Sequence, residues 1–127
     1  MRPVSLDDVR SNREYELVRD ERRRRVIELK RRRRVQVGDI VTFVFENRDT
    51  VLFQIQEMCR VEGIEELAGV RREVSCYNEL LPRPGSLAAT MLIEITEAAR
   101  IKPTLERLRG ILACIRIDLG ADRKSVV

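Results

Sequence analysis

The hydrophobic period of the chain changes between Ile40 and Ile64. From Ile40 to Glu46, Val41, Phe43 and Phe45 alternate with Thr42, Val44 and Glu46. This is the two-residue repeat of a strand with one strongly apolar face and one mixed face. Beyond Asn47 the period lengthens, and Val51, Leu52, Ile55, Met58 and Cys59 fall within an arc of about 120°, the core stripe of an amphipathic helix. Asn47 suits the join, because its side chain can accept the N–H of Thr50 and cap the helix. Glu57 and Arg60 lie opposite the stripe, three residues apart, and are spaced to pair. Phe53 lies on the same outward side, so either another segment covers it or it belongs to a binding surface. Gln54 and Gln56 flank the stripe and can bond to neighbouring backbone.

On the N-terminal side, Ser5 to Val9 reads as a short capped turn. Ser11 or Asn12 then caps a long helix to about Arg34, with Tyr15, Val18, Val26 and Leu29 as a broken apolar stripe. Val35 to Asp39 is a short extended piece and a turn. On the C-terminal side, Glu65 to about Leu80 reads as a helix ended by Pro82, Pro84 and Gly85, with Gly69 weakening it. Ser86 to Ile95 is a second strand. Thr96 to Gly110 is a helix interrupted near Pro103, with Leu105 and Leu108 inward, and Ile111 to Leu119 alternates as a third strand. The pattern predicts an α+β domain: a small, mainly antiparallel or mixed sheet, helices packed on one side, and a long charged N-terminal helix. A single domain over residues 1–121 accounts for it.

Charge changes the picture at one end. Residues 1–34 hold 13 Lys+Arg against 7 Asp+Glu, whereas residues 35–127 hold 12 against 14. The runs Arg22–Arg25 and Arg31–Arg34 make the first helix arginine-rich. Four consecutive positions sweep about 300° of a helix, so they cannot share a face. Arg31, Arg32, Arg33 and Arg34 are candidates for binding a polyanion, RNA or DNA. The alternative is a solvated helix laced with ion pairs, since Asp20–Arg24, Glu21–Arg25 and Glu28–Arg32 each place the acid four residues before the base.

Candidate chemistry narrows the picture further. There is no histidine, which removes the usual imidazole base and the commonest metal ligand. Cys59, Cys76 and Cys114 are isolated and read as ordinary buried or half-buried thiols. No phosphate-binding glycine loop or nucleophile elbow occurs. No catalytic or metal-binding residue and no cofactor is therefore expected. Glu46, Glu57 and Glu94, with Arg60, would form an acid–base site only if the fold made them converge. No apolar run reaches the roughly 20 residues of a membrane span, and the first ten residues lack an apolar signal region, so a cytoplasmic location is expected.

FENRDTVLFQIQEMCR at Phe45–Arg60, with KRRRRVQVG before it and YNELLP and LAATMLIEI after it, resembles the bacterial domain-of-unknown-function family 3501. The resemblance covers most of residues 5–118. It implies no activity, but an accessory role in redox or peroxide metabolism beside an iron–sulfur oxidoreductase or a rubrerythrin-like protein. It places Arg48, Gln54, Gln56, Glu57, Arg60, Tyr77, Asn78 and Glu94 on matching positions, as candidates for a shared surface with Phe53. Family members are longer, and this chain ends ADRKSVV, which one frame of a common sequencing adapter would encode. Residues 122–127 are thus expected to be a non-native tail on a truncated domain, leaving the third strand an unpaired edge.

Overall fold

The structure is a computed structural model and describes residues 2–118 and 125–126. These fall into two compact units, Met1–Glu94 and Ile95–Val127.

The first unit contains the predicted join. Strand β2, Val41–Phe45, leads through Asn47 into helix α2, Arg48–Val61. Asn47 Oδ1 accepts the Thr50 N–H at 3.0 Å, and Thr50 Oγ1 accepts the Asn47 N–H at 2.9 Å. These reciprocal bonds satisfy two donors at the helix start. Val51, Ile55 and Cys59 are almost wholly buried and form the core with Val4 and Val74. Leu52 packs at its margin, and Met58 is half-buried.

Two helices flank α2. Helix α1, Asn12–Arg31, is capped by Ser11, whose hydroxyl accepts the Glu14 N–H at 3.2 Å. Helix α3, Leu67–Asn78, follows the left-handed turn at Gly63. Gly69 has a packing role there: a Cβ at this position would lie 2.7 Å from Ile64 Cγ2. The predicted turn near the N-terminus is a 3-10 helix, Leu6–Asp8.

Strand β1, Arg34–Val37, pairs with β2 as an antiparallel hairpin, and β3, Ala89–Ile93, pairs antiparallel with the other edge of β2. The fold is α+β with a small antiparallel sheet. Its register sorts the side chains. Val35, Val37, Val41, Phe43, Phe45, Ala89, Met91 and Ile93 share one face. On the opposite face of β2, Thr42, Val44 and Glu46 are all buried, at 1%, 6% and 9% exposure, whereas on the apolar face Val41 is buried but Phe43 and Phe45 are only half-buried. This reverses the expectation from hydrophobicity. Buried hydroxyls explain it: Thr90 donates to Glu46 Oε1 at 2.6 Å, and Thr50 of α2 donates to Glu46 Oε2. The helix start therefore lies on the mixed face.

The first helix ends at Arg31 rather than Arg34. Arg32 is its C-cap, and Arg34 already lies in β1.

The second unit departs further from expectation. The helix predicted for Thr96–Gly110 is a 3-10 turn, Ala98–Arg100, followed by α4, Ile101–Arg107. The break precedes Pro103, which sits in the first turn of α4, where a missing N–H costs nothing. Leu105, expected inward, is exposed, while Leu108 is half-buried. Gly110 provides the left-handed exit. The predicted third strand is mostly another 3-10 helix, Ile111–Cys114. Only β4, Ile117–Asp118, is extended, and it pairs antiparallel with β5, Ser125–Val126. Those two residues therefore have a partner on one side, and each strand of this two-stranded sheet keeps one unpaired edge among the described residues. Leu119, and positions 122–124 and 127 of the expected tail, lie outside the described residues.

Candidate functional site

The candidate residues on α2 and α3 turn mostly toward the chain's own N-terminal segment. Gln56 is buried at 4% exposure and grips Arg10 at both backbone groups. Its Oε1 accepts the Arg10 N–H at 2.6 Å, and its Nε2 donates to the Arg10 carbonyl at 3.1 Å. Asn78 does the same for Val4: Oδ1 accepts the N–H at 2.9 Å and Nδ2 donates to the carbonyl at 2.9 Å. A primary amide carries one acceptor and two donors, so it satisfies a residue's backbone as a neighbouring strand would. Arg48 pairs with Asp8 at 2.5 Å and donates to the Arg2 carbonyl at 3.2 Å.

Glu57 and Arg60 do not pair with each other. Glu57 takes a bidentate contact from Arg19, at 3.0 Å to each oxygen, and the Tyr15 hydroxyl donates to it at 2.7 Å. Arg60 pairs with Glu16 at 2.8 Å. Both partners lie on α1, which passes directly over this side of α2 and outcompetes an exposed pair three residues apart. Asn12 closes the other end of α2 by donating to the Cys59 and Ile64 carbonyls, each at 3.1 Å. Spacing alone gave no signal for Asn12, Tyr15 or Arg19 in this role, because their partners lie 38–52 residues away.

The electrostatics agree with this arrangement. The Ser5 N–H and hydroxyl, then Arg48, hold the Asp8 carboxyl down to about 2. The Arg19 hydrogen bond, with help from Tyr15, lowers Glu57 against the opposing effect of burial. Burial, then the Glu57 carboxylate, raises Tyr15. Charges are thus fixed rather than poised near neutrality.

The remaining candidates are dispersed. Tyr77 packs against the core, and Gln54 is half-buried. Phe53 is covered in part by α1, with Lys30 Nζ 5.9 Å from its ring centroid. Glu94 pairs with Arg34 across the sheet at 3.0 Å. Glu46 is held by threonines, Glu57 by Arg19 and Glu94 by Arg34, so the three carboxylates do not share one centre. Of the arginine run, Arg31 pairs with Glu28 and Arg33 donates to the Phe45 and Glu46 carbonyls, leaving Arg32 with neither an ion pair nor a side-chain hydrogen bond among the described residues. None of the predicted four-residue pairs on α1 forms among the described residues. Among the described residues there is no group of three or more His, Cys, Asp or Glu placed to hold a metal, and no helix long and apolar enough to cross a membrane. Of the cysteines, Cys59 is buried as expected, but Cys76 and Cys114 are exposed.

The family model described as protein of unknown function (DUF3501) matches residues 3–126. A crystal structure of a novel protein of unknown function from Burkholderia pseudomallei K96243 is similar in sequence and fold. It is 33% identical with a TM-score of 0.80, over 84% of this chain and 60% of that one. This chain thus aligns with less than two thirds of that protein's length. No curated protein matches the chain.

Proposed function

The chain belongs to the family of proteins of unknown function DUF3501, and from that membership and the geometry above we propose that it is a non-catalytic interaction protein. In this proposal it acts in the cytoplasm as an accessory to an iron–sulfur oxidoreductase or a rubrerythrin-like protein in redox or peroxide metabolism. The observation that supports a protein partner is the sheet. Gln56, Glu57, Arg60 and Asn78 are spent on internal contacts, while the sheet face bearing Val35, Val37, Phe43, Phe45, Met91 and Ile93 is wholly apolar. Val35 and Val37 are 49% and 53% exposed there, and a contiguous apolar surface of this kind is characteristic of association. Affinity purification of the protein from its native cells, with partners identified by mass, tests this. An iron–sulfur or di-iron protein should co-purify, and should be lost from a Val35→Glu/Val37→Glu variant. A purification that yields no such protein contradicts the proposal.

A second reading, nucleic-acid binding, is favoured by the run Arg22–Arg25, in which no side chain makes an ion pair among the described residues. It requires steeply salt-dependent RNA or DNA binding. Binding that survives neutralisation of both arginine runs unchanged would eliminate it.

A further inference from the structure

Strand β3 leaves one edge of the sheet open. β2 occupies one of its sides, and no strand pairs with the other among the described residues. The register decides which backbone groups that edge presents. The Glu46 N–H donates to the Ala88 carbonyl at 2.8 Å, and the Glu94 N–H donates to the Ile40 carbonyl at 2.6 Å. Antiparallel pairs alternate between bonded and non-bonded, so Ala88, Thr90, Leu92 and Glu94 turn their backbone groups toward β2. Ala89, Met91 and Ile93 turn theirs outward, and none of the three makes a backbone hydrogen bond on that side among the described residues.

The two edges of the sheet differ. The Phe45 N–H donates to the Arg33 carbonyl at 2.9 Å, so β1 turns only Arg34 and Gln36 outward, at the end of the run Arg31–Arg34. Charge on an edge discourages pairing with another chain. β3 has none of the usual guards: Ala89–Ile93, ATMLI, contains no charged residue, proline or glycine. Leu92 is 38% exposed, although it shares a face with the buried Thr42 and Val44.

The outward groups of β3 are also symmetric about their middle member. When β3 meets a second β3 antiparallel, with Met91 opposite Met91, each Ala89 falls opposite an Ile93. All three outward residues of each copy are then paired, by about six hydrogen bonds. Thr90 falls opposite Leu92 and covers it, and Ala88 falls opposite Glu94, so no like charges meet. The two-fold axis stands perpendicular to the sheet, which keeps the apolar faces of both copies on one side. Such self-complementarity is what a closed two-fold contact requires.

We propose that β3 joins two copies of this chain into one six-stranded sheet, in the order β1-β2-β3-β3-β2-β1. Each copy spends its unguarded edge in the contact, so assembly stops at the dimer. The contact uses the edge of the sheet and needs no redox partner, so it is read from the purified protein alone.

Sedimentation of the full chain tests it. The mass should rise with concentration to twice 14.8 kDa and no further, with a Kd of about 100 μM or tighter. Met91→Pro removes an outward N–H and no bond to β2, a place where an edge strand tolerates proline. It should weaken the dimer at least about tenfold. Gln36→Pro makes the same change at the β1 edge and should leave the dimer intact. Circular dichroism would establish that both variants are folded. The unmodified protein gives a second readout, independent of either variant. In a mixture of isotope-labelled and unlabelled chains, the Thr90 and Leu92 Hα protons should show an intermolecular NOE, because their Cα atoms face one another at about 4.5 Å across the contact. A protein that stays monomeric up to about 1 mM, growth past the dimer, a dimer undiminished in folded Met91→Pro, or a dimer without the Thr90–Leu92 contact would each overturn it.

Discussion

A single residue shows how packing overrides propensity. Gly69 weakens α3 as an isolated helix, and alanine there would gain up to about 1 kcal/mol by propensity alone. The contact with Ile64 Cγ2 reverses the sign, because a β-branched methyl cannot swing aside cheaply. Gly69→Ala should lower stability by about 1–3 kcal/mol, the usual cost of overpacking, as urea unfolding will read. The thiols give a second prediction at this scale. Burial raises Cys59, while Cys76 and Cys114 are exposed. A thiol reagent should therefore modify Cys76 and Cys114 in the native protein, and Cys59 only on unfolding. Prompt modification of Cys59 would place it at the surface. Sequence gives Cys59 correctly because it shares the α2 stripe, whereas nothing local marks Cys76 as exposed.

At the scale of elements, the join of β2 and α2 was legible because everything that specifies it is local. Alternation, an asparagine cap and a helical stripe lie within about twenty residues of one another. The roles of the α2 and α3 side chains were not legible, since Gln56 and Asn78 reach backbone 46 and 74 residues away. Gln56→Ala should leave both Arg10 backbone groups unpaired and cost about 1–3 kcal/mol. The N-terminal segment should also respond to acid. Asp8 falls from an ordinary value of 3.8 to about 2, so its stabilising contribution is complete above 3.8. It is lost as pH falls from there toward 2, since a lowered folded value favours the ionised form. Glu57 shifts in the same direction and adds to this loss. The protection of residues 4–10, taken as exchange relative to the intrinsic rate at each pH, should therefore fall across that window before the α2 core opens. An acceleration on raising the pH from neutrality instead, beyond the intrinsic base-catalysed rate, would contradict the assignment.

Over the molecule as a whole, the α+β class followed from the period changes, but strand partners did not. Arg34 was hidden in an arginine run, and β1 offers only Val35 and Val37 as apolar positions, too few to separate a strand from a loop. Ile111–Leu119 failed for the opposite reason. Its alternation is good, yet a strand needs a neighbour to pair its backbone, and only Ile117–Asp118 finds one among the described residues. The central claim is that α2 and α3 hold the N-terminal segment as part of the folded unit, so that residues with the look of a surface site serve the interior. Hydrogen exchange at the Val4 and Arg10 amides tests it most directly. Both amides should be protected, with Val4 released selectively by Asn78→Ala and Arg10 by Gln56→Ala. Exchange at the rate of an unstructured chain in the unmodified protein would contradict it.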